Sequence, residues 1–214
     1  LWMCQGYYRH EEGYKPDFPG QDRFKGQIVH PQEWPEDLDY ADKKVVVIGS
    51  GATAATLIPA MAEKTAHITM LQRSPTYFFA RPNENELATQ LRELDIPQEW
   101  IHEIVRQKIL KDQRMIQTLS FTQPDFLKNQ LLGAAKEYLG EDFDYETHLT
   151  PSYRPWRQRL ALIPDGDLYT AIRAGKAAIV TDEIESFTET GIRVKSGEEL
   201  EADIIVTATG FNFC

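Results

Sequence analysis

The run Val45-Val46-Val47-Ile48 passes directly into Gly49-Ser50-Gly51-Ala52-Thr53-Ala54, and this junction constrains the fold more than any other part of the chain. An unbroken β-branched run suits a strand buried on both faces, as in parallel sheets covered by helices. After the G-x-G-x-x-A turn come an Ala-rich stretch to about Lys64, suited to a helix, and a second apolar run, His67-Ile68-Thr69-Met70-Leu71. The pattern predicts β-α-β. In that setting Gly49 permits the tight turn, Gly51 lets the backbone come close to a pyrophosphate, and Ala54 keeps helix and sheet in contact. The helix N-terminus adds free N–H groups and partial positive charge beside Ser50, Ala52 and Thr53. The expected fold class is α/β, a Rossmann-like dinucleotide-binding domain. The competing reading of the same glycines is a tight structural turn with no ligand.

The end of the second strand addresses which dinucleotide. An NAD site usually has Asp or Glu about 20 residues beyond the glycines, where it holds the ribose 2′-OH. Here the chain reads Leu71-Gln72-Arg73-Ser74, with no acid. Arg73 offers charge-assisted hydrogen bonds to a 2′-phosphate and Ser74 a further donor, which points to NADP(H). The bland alternative is an exposed arginine at a strand end.

Around this unit the texture changes. Residues 1–40 are rich in aromatics, Gly, Pro and acids and show no sustained period, so they read as ordered loop with one short strand. Residues about 83–150 are helical in pattern, with Leu87, Leu91 and Leu94 at helical spacing, as are Ile101, Ile104 and Val105; Pro97 and Pro124 punctuate them. Residues 178–210 return to β-structure: 178–181, then 184–187 and 192–195 as a hairpin around Thr190-Gly191, then the apolar run Ile204-Ile205-Val206.

A net charge of −10 and a pI near 5.0 weigh against a nucleic-acid or anionic-membrane binder, since either needs a large basic surface. No run of about 18 apolar residues occurs, so no transmembrane helix is expected. The two cysteines, Cys4 and Cys214, form no CxxC, disulfide framework or zinc pattern and suit a reducing cytoplasm. His10, His30, His67, His102 and His148 are too scattered for a local metal-ligand cluster, and no metal is expected.

The segment from Phe24 to Pro35 fits F-x-G-x-x-x-H-x-x-x-W-P through Phe24, Gly26, His30, Trp34 and Pro35. Five fixed positions over twelve residues, just ahead of a dinucleotide turn, resemble the signature of the type I Baeyer–Villiger monooxygenases, in the flavin-containing monooxygenase superfamily. The likeness extends over nearly the whole chain and is greatest to the ethionamide-activating members. It includes Gly6-Tyr7-Tyr8, Gln72-Arg73-Ser74-Pro75-Thr76-Tyr77, Trp156, Gln158-Arg159-Leu160, Gly166-Asp167-Leu168 and Ala208-Thr209-Gly210.

The resemblance implies an enzyme that uses NADPH, FAD and O2 to oxygenate a small ketone or a sulfur-containing substrate through a C4a-peroxyflavin. It places Thr209 and Gly210 among the cofactor contacts. It also implies that Arg159 is the catalytic arginine, its fixed charge aimed at developing negative charge. The alternative for the Arg154, Arg157 and Arg159 group is a solvated loop or a phosphate clamp. Many members have Lys before this arginine, where this chain has Gln158, which leaves Arg73 more of the phosphate to hold.

No second G-x-G-x-x-G is present for FAD. Residues 1–40 are accordingly expected to be a linker and the edge of a separate FAD domain, with Cys4-Gln5-Gly6 leaving that domain's last strand. Residues 41–214 are expected to form the NADP-binding domain, with the helical segment about 83–150 as an insertion. A chain starting at Leu1 with neither initiator Met nor signal pattern is expected to be a piece of a longer flavoprotein, inactive alone. Two other classes stay open: another two-dinucleotide flavoprotein, such as a pyridine-nucleotide disulfide reductase, and a non-catalytic NADP-binding module.

Overall fold

A computed structural model describes Cys4 and residues 6–213. The expected strand exit at Cys4-Gln5-Gly6 therefore falls partly outside the described residues, and Cys214 lies wholly outside them. The elements in chain order are β1 (Tyr8–Gly13), β2 (Gln27–Val29), β3 (Lys44–Ile48), α1 (Ala52–Ala62), β4 (His67–Gln72), β5 (Phe78–Arg81), α2 (Glu86–Glu93), α3 (Gln98–Thr122), α4 (Pro124–Leu139) and α5 (Tyr145–Leu149). There follow β6 (Ala161–Pro164), α6 (Asp167–Arg173), β7 (Ala177–Thr181), β8 (Ile184–Phe187), β9 (Gly191–Val194), β10 (Glu199–Glu201), β11 (Ile204–Thr207) and β12 (Phe211–Phe213).

The centre is a five-stranded parallel sheet in the order β2-β11-β3-β4-β7. Its strands alternate between two cores, as the period of two requires. Val45, Val47, Ile68, Met70, Ile204 and Val206 face α1 and α6. Val46, Ile48, Leu71 and Ile205 face the meander β8-β9-β10. Both faces are covered, which is the physical reason that β3 has no polar alternation.

Helix α1 buries Ala54, Ala55, Ile58, Met61 and Ala62, a single stripe at helical spacing. Phe187, at 0% exposure, anchors the second core between a stacked Phe18 at 5.3 Å and an edge-on Phe24 at 6.4 Å. Each such aromatic pair is worth about 0.5–1.5 kcal/mol beyond area burial.

The helical segment lies where the pattern put it. Pro97 stands at the N-cap of α3 and Pro124 at the first turn of α4, positions that ask nothing of the missing proline N–H. A small third core of Tyr77, Leu127 and Leu131 packs α4 against the β5 side. The loop-like reading of residues 1–40 misses pairing. Gln27–Val29 hydrogen-bonds along β11 as the edge of the main sheet, and Tyr8–Gly13 pairs antiparallel with Phe211–Phe213. Among the described residues no helix is long and apolar enough to cross a membrane.

Candidate functional site

The C-terminal ends of β3, β4, β7 and β11 open onto a cleft of about 540 Å³. Gly49, Ser50, Arg73, Ser74, Gln158 and Thr209 line it, with Asp182 and Glu183 at its β7 end. This is the crevice at strand ends where doubly wound sheets bind ligands.

The two glycines of the turn differ in kind. Gly49 has φ +125°, and a Cβ there would lie 2.5 Å from the Ala208 carbonyl oxygen, so the fold itself demands glycine. Gly51 has φ −78° and ψ −175°, extended backbone that any residue adopts. A Cβ on Gly51 would meet nothing within 4 Å. Nothing in the described chain asks for glycine there, while a ligand pressed against the turn would.

Gly51 is the N-cap of α1 and brings no side chain to the task. The first helical bond runs from the Ala55 N–H to the Gly51 carbonyl at 3.0 Å, which leaves the amides of Ala52, Thr53 and Ala54 without a helical acceptor. The loop itself is held: Leu71 C=O accepts the Gly49 N–H at 2.8 Å, and the Ser50 and Thr76 hydroxyls lie 2.8 Å apart. Arg73 and Ser74 follow the last residue of β4 and are exposed. Arg73 has no ion-pair partner among the described residues. Its charge nevertheless reaches Glu183 and, after the stronger effect of Lys195, helps hold that carboxyl below its ordinary pKa.

The three arginines near residue 156 separate. Arg154 is committed to structure: its guanidinium bonds the buried Ser120 hydroxyl at 3.1 Å and stacks 3.9 Å above the Phe121 ring. Arg157 N–H closes a turn onto the Arg154 carbonyl at 3.1 Å, with Pro155 second and Trp156 third at φ +65°. That is the pattern of a type II turn, which normally takes glycine in Trp156's place. Left-handed backbone on a bulky residue costs about 1–3 kcal/mol and tends to gather near functional sites. Beyond the turn, Gln158 enters the cleft, whereas Arg159 is exposed and is not among the cleft's lining residues. Its charge acts on Tyr8, whose phenol is raised chiefly by hydrogen bonding to Tyr7, with Arg159 pulling the other way.

The F-x-G-x-x-x-H-x-x-x-W-P segment works as a clamp within the described fold. Phe24 packs on Phe187, and Trp34 lies against the α1-side core. Gly26 passes so close to Asp203 that a Cβ would sit 2.2 Å from its carbonyl oxygen. Pro35 is exposed at the segment's end. His30 is 7% exposed; its Nδ1 accepts the Gln32 N–H at 3.2 Å, so Nε2 carries the proton and donates to the Gly210 carbonyl at 3.2 Å. Burial holds its pKa below the ordinary value, in keeping with a neutral ring. The Gly210 carbonyl also accepts the Tyr14 N–H at 3.0 Å, and the Thr209 hydroxyl donates to the Tyr14 carbonyl at 2.5 Å.

Gly13 lies flat on the His30 ring, where a Cβ would come 1.8 Å from Cε1. Gly13→Ala is therefore expected to displace the imidazole and destabilise the fold by about 1–3 kcal/mol. An unchanged urea-unfolding midpoint would show that His30 does not pack there.

A family model for "Flavin-binding monooxygenase-like" proteins matches residues 1–214. The chain belongs to that family. Membership answers the disulfide-reductase alternative. This family member is 51% identical over 213 residues to "FAD-containing monooxygenase EthA" of Mycolicibacterium smegmatis, covering 99% of the chain and 43% of that protein. It is 50% identical to "Probable FAD-binding monooxygenase AlmA" of Acinetobacter baylyi, covering 97% of the chain and 41% of that protein. The chain thus spans less than half the length of these curated relatives. Among solved structures, an oxidized steroid monooxygenase bound to NADP superposes with a TM-score of 0.70 at 23% identity, over 94% of this chain and 45% of that one. Cyclohexanone monooxygenase bound to ε-caprolactone gives 0.67 at 19% identity, over 97% and 47%. These structural likenesses concern the fold.

The sequence pattern gives no site role to Thr76, Asp182, Glu183 or the polar trio Gln72, His148 and Thr181. Thr76 stood in plain view in the Ser74-Pro75-Thr76 run, but nothing local tied it to Ser50.

Proposed function

We propose that residues 41–214 bind NADP(H) along the 540 Å³ cleft and serve the coenzyme half of an FAD- and NADPH-dependent monooxygenase. Its substrate class is a small ketone or sulfur-containing molecule, oxygenated with O2. The single observation behind the reading is Gly51: a glycine the fold does not need, at a helix start with unpaired amides and open space before it.

In this reading the amides of Ala52, Thr53 and Ala54 hold the pyrophosphate, with Gly49 and Ser50 shaping the turn. Arg73 and Ser74 take the 2′-phosphate, helped by Gln158 as a neutral donor. Thr209 and Gly210 border the nicotinamide end, and the Tyr14 and His30 bonds fix them there. Arg159 supplies positive charge where negative charge develops on the reacting oxygen. The chemistry that bound FAD and NADPH supply is transfer of an electron pair to O2, readying one oxygen atom for insertion. FAD is assigned to a separate domain, with residues 1–40 as linker and domain edge, because this chain offers one dinucleotide turn and the relatives are more than twice as long. The same reading assigns the protein to the cytoplasm.

Arg73→Ala tests the assignment. NADPH affinity is expected to fall about 10–150-fold, the loss of one charge-assisted pair of roughly 1.5–3 kcal/mol, while NADH affinity changes little. Coenzyme titration followed by protein fluorescence gives both constants. Equal losses would remove Arg73 from the phosphate site. NADPH consumption by the full-length protein with FAD separates an enzyme from a non-catalytic NADP module.

A further inference from the structure

Gln72, the last residue of β4, immediately precedes Arg73 and is 1% exposed. Its amide spends both protons: Nε2 donates to the His148 carbonyl at 2.8 Å and to the Thr181 hydroxyl oxygen at 2.8 Å. The Thr181 hydroxyl lies 2.8 Å from His148 Nδ1. With His148 as the neutral Nε2–H tautomer, Nδ1 accepts the Thr181 proton and the bonds run from Gln72 to Thr181 to His148. Three elements, β4, β7 and α5, therefore meet in one part-buried polar knot. Main-chain bonds repeat the connection: the Gln72 carbonyl accepts the Asp182 N–H at 2.9 Å, one residue beyond Thr181.

We infer that Gln72 is a positioning residue for coenzyme choice. Resting on the NADP(H) reading above, the inference is that the Gln72–Thr181–His148 knot fixes the end of β4, so that Arg73 projects into the cleft toward a 2′-phosphate. It also makes the docking of α5, which closes the helical segment, felt at the coenzyme site.

The chemistry is particular to glutamine. Both partners of Nε2 are acceptors, so a glutamate would set a charged oxygen against oxygens, and an apolar side chain would leave the His148 carbonyl bare. Among the described residues Gln72 Oε1 has no hydrogen-bond partner, so the amide's hydrogen bonds all run from its NH2 side, to Thr181 and His148. Gln72 lines the cleft beneath Arg73, while Arg73 itself has no ion pair to orient it; the order must come from the backbone it follows.

The test uses Gln72→Met, Thr181→Val and Thr181→Ser in the full-length protein, with NADP⁺ and NAD⁺ affinities measured by titration. Wild type and Arg73→Ala run alongside. Gln72→Met and Thr181→Val are expected to lower the preference for NADP⁺ over NAD⁺ by about 3- to 10-fold, the worth of one ordinary hydrogen bond. Thr181→Ser, which keeps the hydroxyl, is expected to retain the preference. Equal weakening of both coenzymes, or an unchanged ratio in a folded Thr181→Val, overturns the inference. Should Gln72→Met fail to fold, the Thr181 pair decides alone. A wild type without NADP⁺ preference would instead overturn the NADP(H) reading on which it rests.

Discussion

Gly51→Val is expected to fold and to lose NADP(H) binding by more than about 100-fold, since at least two charge-assisted N–H contacts, each about 1.5–3 kcal/mol, would be denied to the pyrophosphate. The folded state should survive because Gly51 sits in ordinary extended backbone with no atom within 4 Å of a new Cβ. A β-branched residue at the helix N-cap costs only about 0.5–2 kcal/mol. The contrast with Gly49 gives the experiment its control. There φ is +125° and the Ala208 carbonyl blocks the way, so a side chain strains the chain whether or not a ligand is present. Thermal unfolding and calorimetric titration with NADP⁺ read the two properties separately. A stable Gly51→Val protein that binds NADP⁺ as tightly as wild type would show that the turn does not face a pyrophosphate.

How far the sequence could be read depended on the range of the interactions. The β3-α1-β4 unit was legible because its signals are local: an apolar run, two glycines, an Ala-rich helix. The breaks at Pro97 and Pro124 were legible for the same reason, and the structure makes each a helix start. Strand β2 was not, since three residues carry no period and its partner β11 lies far along the chain. The β1–β12 ribbon hides likewise, because Tyr8 to Gly13 reads as a polar, aromatic loop until Phe211–Phe213 pairs with it.

The site followed the same rule. Gly51 and Arg73 could be named from spacing, whereas the reason for Gly26 is the Asp203 carbonyl and the reason for Gly13 is the His30 ring. Neither neighbour is local. Gln72 looked like an ordinary polar residue at a strand end; only α5 lying across it turns it into a buried donor. The arginine group split on similar grounds, since Arg154 is taken up by Ser120 and Phe121 of α3, a contact that no spacing announces.

That split sharpens the expectation for Arg159. In the full-length enzyme, Arg159→Ala is expected to abolish oxygenated product while NADPH-driven loss of flavin colour largely persists. In the proposed site, coenzyme binding rests on the cleft lined by Gly49, Arg73 and Gln158, and Arg159 lies outside that lining. Hydride donation needs the nicotinamide held in place, which the Thr209–Gly210 turn and its bonds to Tyr14 and His30 can provide without Arg159. Oxygen insertion needs more, namely a preorganised positive charge beside developing negative charge, and one such donor is worth about 100- to 1000-fold in rate. Arg159→Lys should recover only part of this, because a compact ammonium does not reproduce the planar guanidinium fork. Stopped-flow absorbance with product analysis distinguishes the possibilities. Normal product yield from Arg159→Ala would remove the catalytic assignment. A collapse of the NADPH-driven step alone would make Arg159 a coenzyme clamp, placed by the strained Trp156 turn that precedes it.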